Sequence, residues 1–252
     1  MLLNYKSFGE GQPLIVLHGL FGSLDNWVTL GKKFGERHKV YLVDQRNHGQ
    51  SFHADSFSYE VMAEDLCQFM GELGILKAHI IGHSMGGKTA MEFTRQYPEK
   101  VDKLLVADIG PKFYPVHHSQ ILKAFYSVPI ASLSSRKEAD DILANSISDF
   151  GIRQFLLKNL SRGGEGFSWK MNLDTIANNI EEVGKALNQN ALIKNKTLFL
   201  RGGNSDYILN DDFNLIHSVF PNSKVDTIDG AGHWLHAEKP SDFYQKASEF
   251  LS

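Results

Sequence analysis

The sequence predicts an α/β fold, a mostly parallel sheet flanked by helices, with a helical cap inserted in it. Three observations carry this. Short apolar runs alternate with segments of helical spacing through residues 14–108; the same alternation resumes after residue 190; and the stretch between shows helical spacing without a buried parallel strand. Such alternation marks parallel strands joined by crossover helices. Helices cover both faces of a parallel sheet, so its strands read as continuous apolar runs.

In chain order, LIVL (14–17), VYLV (40–43), AHII (78–81) and KLLVAD (103–108) read as buried strands. The helical segments among them are SLDNWVTLGKKF (23–34), YEVMAEDLCQFMGEL (59–73) and KTAMEFTRQYP (88–98). In the second, Met62, Leu66, Phe69, Met70 and Leu73 form an apolar face, with Cys67 as a small, partly buried filler. Residues 117–128, 137–147, 151–160 and 173–187 are helical in spacing, GFSWKMN (166–172) has extended character, and the Gly-Gly pair of SRGGEGF (161–167) marks a turn. Strand TLFLRG (197–202), helix DDFNLIHSVF (211–220), strand KVDTID (224–229) and helix PSDFYQKASEFL (240–251) complete the chain. The expected division is a core of residues 1–110 and 190–252 with a cap at 111–189. The cap would lie over the carboxyl edge of the sheet, where open α/β sheets bind ligands. Its Phe113, Tyr114, Phe125, Tyr126, Phe155 and Trp169 are expected mostly to form the cap's own core, and otherwise to line an acyl pocket.

The chain has 252 residues, of which 42% are hydrophobic, enough for a large core. A net charge of -3, with no Lys/Arg-rich block, points away from nucleic acid and anionic membranes. One cysteine forbids an intramolecular disulfide and a cysteine-based zinc site. No apolar run reaches signal-peptide or membrane-span length, so a cytoplasmic protein, monomeric or dimeric, is expected.

The stretch IIGHSMGGKTA (80–90) fits two catalytic patterns. Gly82 to Gly86 is G-x-S-x-G, a serine nucleophile on a sharp strand-to-helix turn; Gly82 to Thr89 is G-x-x-x-x-G-K-T, a phosphate loop, for which Asp108 would supply the magnesium-holding acid. Two further motifs decide against a nucleotide triphosphate. HGLFG (18–22) follows an early strand, where acyl-transfer enzymes place an oxyanion-binding N–H; Leu20 and Met85 are the expected backbone donors. GAGHW (230–234) follows the last strand and sets His233 on a loop, where a general base must reach the nucleophile. A phosphate site explains neither motif.

The order Ser84, acid, His233 is that of the α/β-hydrolase fold. Two aspartates compete for the acid. Asp206 lies just past TLFLRG, the usual address in this fold, and Asp108 ends the neighbouring strand.

Together, HGLFGSLDNW, VDQRNHGQS, IGHSMGGKTAM, VADIGP, RGGNS and GAGHWLHAEKP resemble the YbfF/ABHD11-type esterases. The resemblance spans most of the chain and is weakest in 111–190. It implies a serine hydrolase of carboxylic acyl esters or thioesters, taking a small-molecule substrate and needing no metal or organic cofactor. It also implies Asp108 as the triad acid, with Asp206 as the alternative; this chain has Asp at both places. Other reactions remain open on this fold: carbon–carbon bond hydrolysis, lyase chemistry, cofactor-free haloperoxidation, or a non-catalytic receptor. The resemblance assigns Lys88 no role, so a solvated or ion-paired lysine is expected there, and Arg46 and Asn47 are expected to brace their loop.

Overall fold

The computed structural model describes residues 1–116, 118–164, 166–188 and 190–252. In chain order it begins with β1 (Tyr5–Phe8), β2 (Pro13–Leu17), α1 (Val28–Phe34), β3 (Lys39–Val43), α2 (Tyr59–Glu72), β4 (Ala78–His83), α3 (Met85–Gln96) and β5 (Val101–Ala107). After β5 come α4 (Ser119–Ser127), α5 (Arg136–Ala144), α6 (Phe150–Leu157), the hairpin β6 (Leu160–Gly163) and β7 (Gly166–Trp169), α7 (Leu173–Asn178) and α8 (Ile180–Gly184). The chain closes with β8 (Lys196–Gly202), α9 (Phe213–Val219), β9 (Ser223–Ile228), α10 (Leu235–Glu238) and α11 (Pro240–Leu251).

Seven of the described strands form one sheet in the order β1-β3-β2-β4-β5-β8-β9. All its pairings are parallel except β1 with β3. Helices cover both faces. Leu14 and Val16 of β2 join Leu30 and Phe34 of α1 and Phe243 and Leu251 of α11; Ile15 and Leu17 join Phe69 of α2, Phe93 of α3 and Ile216 of α9. Successive strand residues point to opposite faces, so a strand apolar at every position needs both faces covered. A third cluster joins Phe125, Leu143, Leu156 and Ile176 of the inserted stretch to Leu20, Phe21 and Met85.

Three elements differ from the sequence reading. β1 has no apolar run, because an edge strand exposes half its residues and YKSF shows no strong pattern. The helix expected at 151–160 stops at Leu157, and Leu160 opens β6. There Asn159 turns its side-chain amide onto the carbonyls of Phe21 and Leu156, a local bond that competes with continuing the helix. The single helix expected at 173–187 is two, since the Asn179 amide bonds back to the Thr175 carbonyl at the end of α7. The helical reading of 117–128 starts on His117, and the expected cap also contains Glu165 and Gln189; these three lie outside the described residues.

The two connections to the inserted stretch run side by side. Tyr114 N–H donates to Gly184 O at 2.8 Å and Leu187 N–H to Pro111 O at 2.9 Å. Among the described residues no helix is long and apolar enough to cross a membrane.

Candidate active site

The turn between β4 and α3 sets the position of Ser84. Its backbone lies at φ 53°, ψ -119°, a region that L-residues other than glycine occupy only under strain. The neighbouring glycines make this turn possible. A Cβ on Gly82 would stand 2.3 Å from Gly86 O, and one on Gly86 would stand 2.5 Å from Leu17 O and His18 O. The turn is therefore pressed against its own helix and the end of β2, which leaves the Ser84 side chain facing outward.

His233 Nε2 lies 3.0 Å from Ser84 Oγ, and His233 Nδ1 lies 2.8 Å from Asp108 Oδ2. Asp108 is fully buried, just past β5, at a left-handed φ of 52°. Its carboxylate also accepts the Gly202 N–H at 2.9 Å and the Ser205 hydroxyl. An ionised carboxylate only accepts, so His233 carries its proton on Nδ1 and leaves Nε2 to accept from Ser84. Asp206 is exposed and makes no hydrogen bond to His233.

The imidazole is held by further groups, of which Tyr207 and Tyr114 lie outside every motif quoted above. Tyr207 stacks on it at 3.8 Å between ring centroids and 15° between planes. Tyr114 Oη–H donates to Tyr207 O at 2.7 Å and accepts the Gly110 N–H at 2.8 Å. Buried His83 donates from Nε2 to the His233 carbonyl at 2.8 Å. Glu238 accepts the Gly232 and Trp234 N–H groups that flank His233. His236, the other histidine of that motif, is buried flat on Trp27, 4.2 Å between centroids.

The loop after β2 passes directly over this turn, since a Cβ on Gly19 would lie 3.3 Å from Ser84 Cβ. Neither Leu20 N–H nor Met85 N–H has an acceptor among the described residues. The rest of the loop is tied down. His18 donates from Nδ1 to Gly19 O at 2.8 Å and accepts Gln45 N–H on Nε2 at 3.1 Å. His48 accepts Phe21 N–H on Nε2 at 3.3 Å, and Asp44 accepts Leu24 N–H at 2.7 Å. Burial lowers the pKa of His18 to about 4 and that of His48 to about 3, so both stay neutral. A cavity of about 630 Å³ opens onto Ser84 and His233, walled largely by Leu20, Phe21, Trp27, Ile121, Phe155 and Trp234. Phe155 thus lines the cavity, Phe125 and Trp169 pack on each other, Tyr114 braces Tyr207, and Phe113 and Tyr126 are exposed.

Lys88 corrects an expectation. It is buried along its whole length, and its Nζ donates to Lys112 O and Lys185 O, both at 2.6 Å, with the Tyr114 ring 5.0 Å away. The lysine therefore joins both connections of the inserted stretch to α3. The Gly-Lys spacing could not reveal this, because the carbonyls lie 24 and 97 residues away. Burial, then Lys112, lowers its pKa to about 7. Lys88→Met strands two acceptors and is expected to cost roughly 2–4 kcal/mol in chemical denaturation. The folded pKa lies below the unfolded one, so the contribution of Lys88 is greatest above pH ~10.5 and declines as pH falls toward 7. The loss in the variant should therefore be larger at pH 9 than at pH 6, and an equal loss at both would contradict this. Arg46 braces its loop as expected, with a bidentate pair to Asp65 of α2 at 2.5 and 2.8 Å. Asn47 pairs with Ala54 and accepts Asn172 N–H on its carbonyl.

Residues 12–240 match the family described as alpha/beta hydrolase fold. The chain is 40% identical to a mouse (Mus musculus) protein named sn-1-specific diacylglycerol lipase ABHD11, over 95% of this chain and 80% of that one. It is 34% identical to the Escherichia coli protein named esterase YbfF, over 96% and 94% of the two chains. A solved structure titled marine microorganism esterase superposes with a TM-score of 0.97 at 45% identity, covering 99% of each chain.

Proposed function

The chain belongs to the alpha/beta hydrolase family and is a carboxylic ester hydrolase, and from that premise we propose that Ser84, His233 and Asp108 are its catalytic triad. The observation that carries this is the continuous hydrogen-bonded chain from Ser84 Oγ through His233 to buried Asp108, opening on an apolar cavity. His233 takes the Ser84 proton as Oγ attacks the acyl carbonyl. Asp108 holds the tautomer and stabilises the imidazolium. Leu20 and Met85 N–H groups receive the oxyanion; losing one such donor costs ~2.7–4 kcal/mol of transition-state stabilisation. His233 returns the proton to the leaving oxygen or sulfur. Water, deprotonated by His233, then frees the acid and restores Ser84.

In this reading residues 111–189 form a cap, and the substrate is an apolar ester or thioester whose hydrocarbon part replaces water in the cavity. The single cysteine, Cys67, suits a reducing compartment such as the cytoplasm. A fluorophosphonate should add one phosphonyl group to Ser84, detected by peptide mass, and hydrolysis should vanish in Ser84→Ala. An adduct elsewhere, or full activity in Ser84→Ala, would sink the assignment.

A further inference from the structure

We infer that Asn159 is a positioning residue: from the inserted stretch it holds the turn that presents Leu20 N–H to the oxyanion. The inference rests on the triad and oxyanion reading above. It starts from a local difficulty in the loop after β2. Gly22 N–H donates to Gly19 O at 3.0 Å, so Leu20 and Phe21 are the two central residues of a β-turn. Phe21 stands at φ 57°. A turn with positive φ at its third residue calls for glycine or asparagine, and a bulky side chain there is strained. Left to itself the turn would relax to negative φ, and Leu20 would move with it.

Three contacts hold Phe21 against this. His48 accepts its N–H on Nε2 at 3.3 Å. Asn159 Nδ2 donates to its carbonyl at 2.7 Å. Its ring packs on Phe125 of α4, 5.2 Å between centroids. Asn159 and Phe125 both belong to the inserted stretch. The N–H and the carbonyl of Phe21 lie in the two peptide planes whose rotations are its φ and ψ. Fixing one plane leaves the other free; fixing both sets the turn.

Asn159 is itself well held. It is buried, and Lys170 N–H donates to its carbonyl at 2.8 Å across the open end of the β6–β7 hairpin. Its amide faces two acceptors, Phe21 O and, at 3.1 Å, Leu156 O; turned over, its oxygen would oppose both. Asn159 is not among the described residues that wall the cavity, so it acts through the turn rather than on the substrate. An oxyanion donor is effective because it is already in place when charge develops. Holding it there is the contribution of Asn159.

Asn159→Leu nearly keeps the volume and removes the donor. Its kcat for p-nitrophenyl butyrate should fall at least about tenfold with KM within about twofold, because the turn matters once the oxyanion forms. An alkyl trifluoromethyl ketone gives the second readout. Ser84 Oγ adds to its carbonyl carbon, His233 takes the serine proton, and the ketone oxygen becomes the oxyanion. Its inhibition constant should rise by the factor that kcat/KM falls, while that of hexanol, which forms no oxyanion, stays within about twofold. Asn179→Ala removes an amide that bonds back to Thr175 O inside the inserted stretch, and should leave all four constants within about twofold. Should Asn159→Leu not fold, Asn159→Ser carries the same test, since its hydroxyl is too short to reach Phe21 O. Unchanged kcat, a loss confined to KM, equal weakening of hexanol, or the same loss in Asn179→Ala would overturn the inference while leaving the triad standing. If the unaltered enzyme cleaves no ester and Ser84 takes no phosphonate, the triad reading falls and the inference with it.

Discussion

Asp108→Asn is expected to lower kcat for ester hydrolysis by on the order of 10⁴-fold, whereas Asp206→Asn should leave it within about twofold. The reason lies in donors and acceptors. The Asp108 carboxylate accepts three hydrogen bonds, from Gly202 N–H, Ser205 O–H and His233 Nδ1–H. An asparagine has one oxygen for all three. Its amide would face His233 and favour the tautomer with the proton on Nε2, which cannot accept from Ser84. Asp108→Asn also breaks a buried network, so the measurement needs a companion. Circular dichroism at the assay temperature should show a folded variant, and the phosphonate should still find Ser84, slowly. Equal loss in the two variants, or loss in Asp206→Asn alone, would move the acid away from Asp108.

The second large effect is acid lability. His18, His48 and His236 are buried, and burial lowers their pKa values to about 4, about 3 and about 3. The geometry supports the direction for the first two. A second proton on His18 would set an N–H against Gln45 N–H, and one on His48 would face Phe21 N–H. His236 Nδ1 has no hydrogen-bond partner among the described residues, and its ring lies against Trp27. In the unfolded chain each titrates near ~6.5. The folded pKa is the lower one, so below ~6.5 the unfolded state binds protons that the folded state refuses, and stability falls with pH until the folded pKa values are reached. From pH 6.5 to 5 each such histidine removes on the order of 2 kcal/mol. Together they approach the whole stability of an ordinary domain, ~5–15 kcal/mol. Urea midpoints should therefore drop steeply between pH 7 and 5, and the slope should ease by about one proton in His48→Gln, whose amide oxygen can still accept Phe21 N–H. A flat profile over that range would refute the account. His18 and His48 anchor the loop that carries Leu20 and Phe21, so activity should fail along with stability.

Much of the molecule was legible in the chain. The central strands β2, β3, β4, β5 and β8 are apolar runs flanked by helical spacing, and each was readable because burial on both faces imposes that pattern locally. The turn at Ser84 and the loop of His233 were readable for a similar reason: glycines at fixed offsets permit a tight backbone. β1 was missed because an exposed edge imposes little pattern. The breaks after Leu157 and Asn178 were missed because a single asparagine amide, bonding back to a carbonyl, outweighed a favourable helical period.

What the sequence by itself determined is whatever a short window must encode: strand, turn, helix, and the order of Ser84, an acid and His233. What only the tertiary structure decided is which distant groups meet. Asp108 reaches His233 across 125 residues, while Asp206, at the address the fold would suggest, faces solvent. Lys88, which completes a phosphate-loop pattern on paper, is turned inward onto the carbonyls of Lys112 and Lys185. Tyr207 lies flat on His233 with no motif to announce it. Local patterns arise from the periodicity of the backbone, whereas these pairings depend on how the sheet and the inserted stretch pack, and packing is a property of the whole chain.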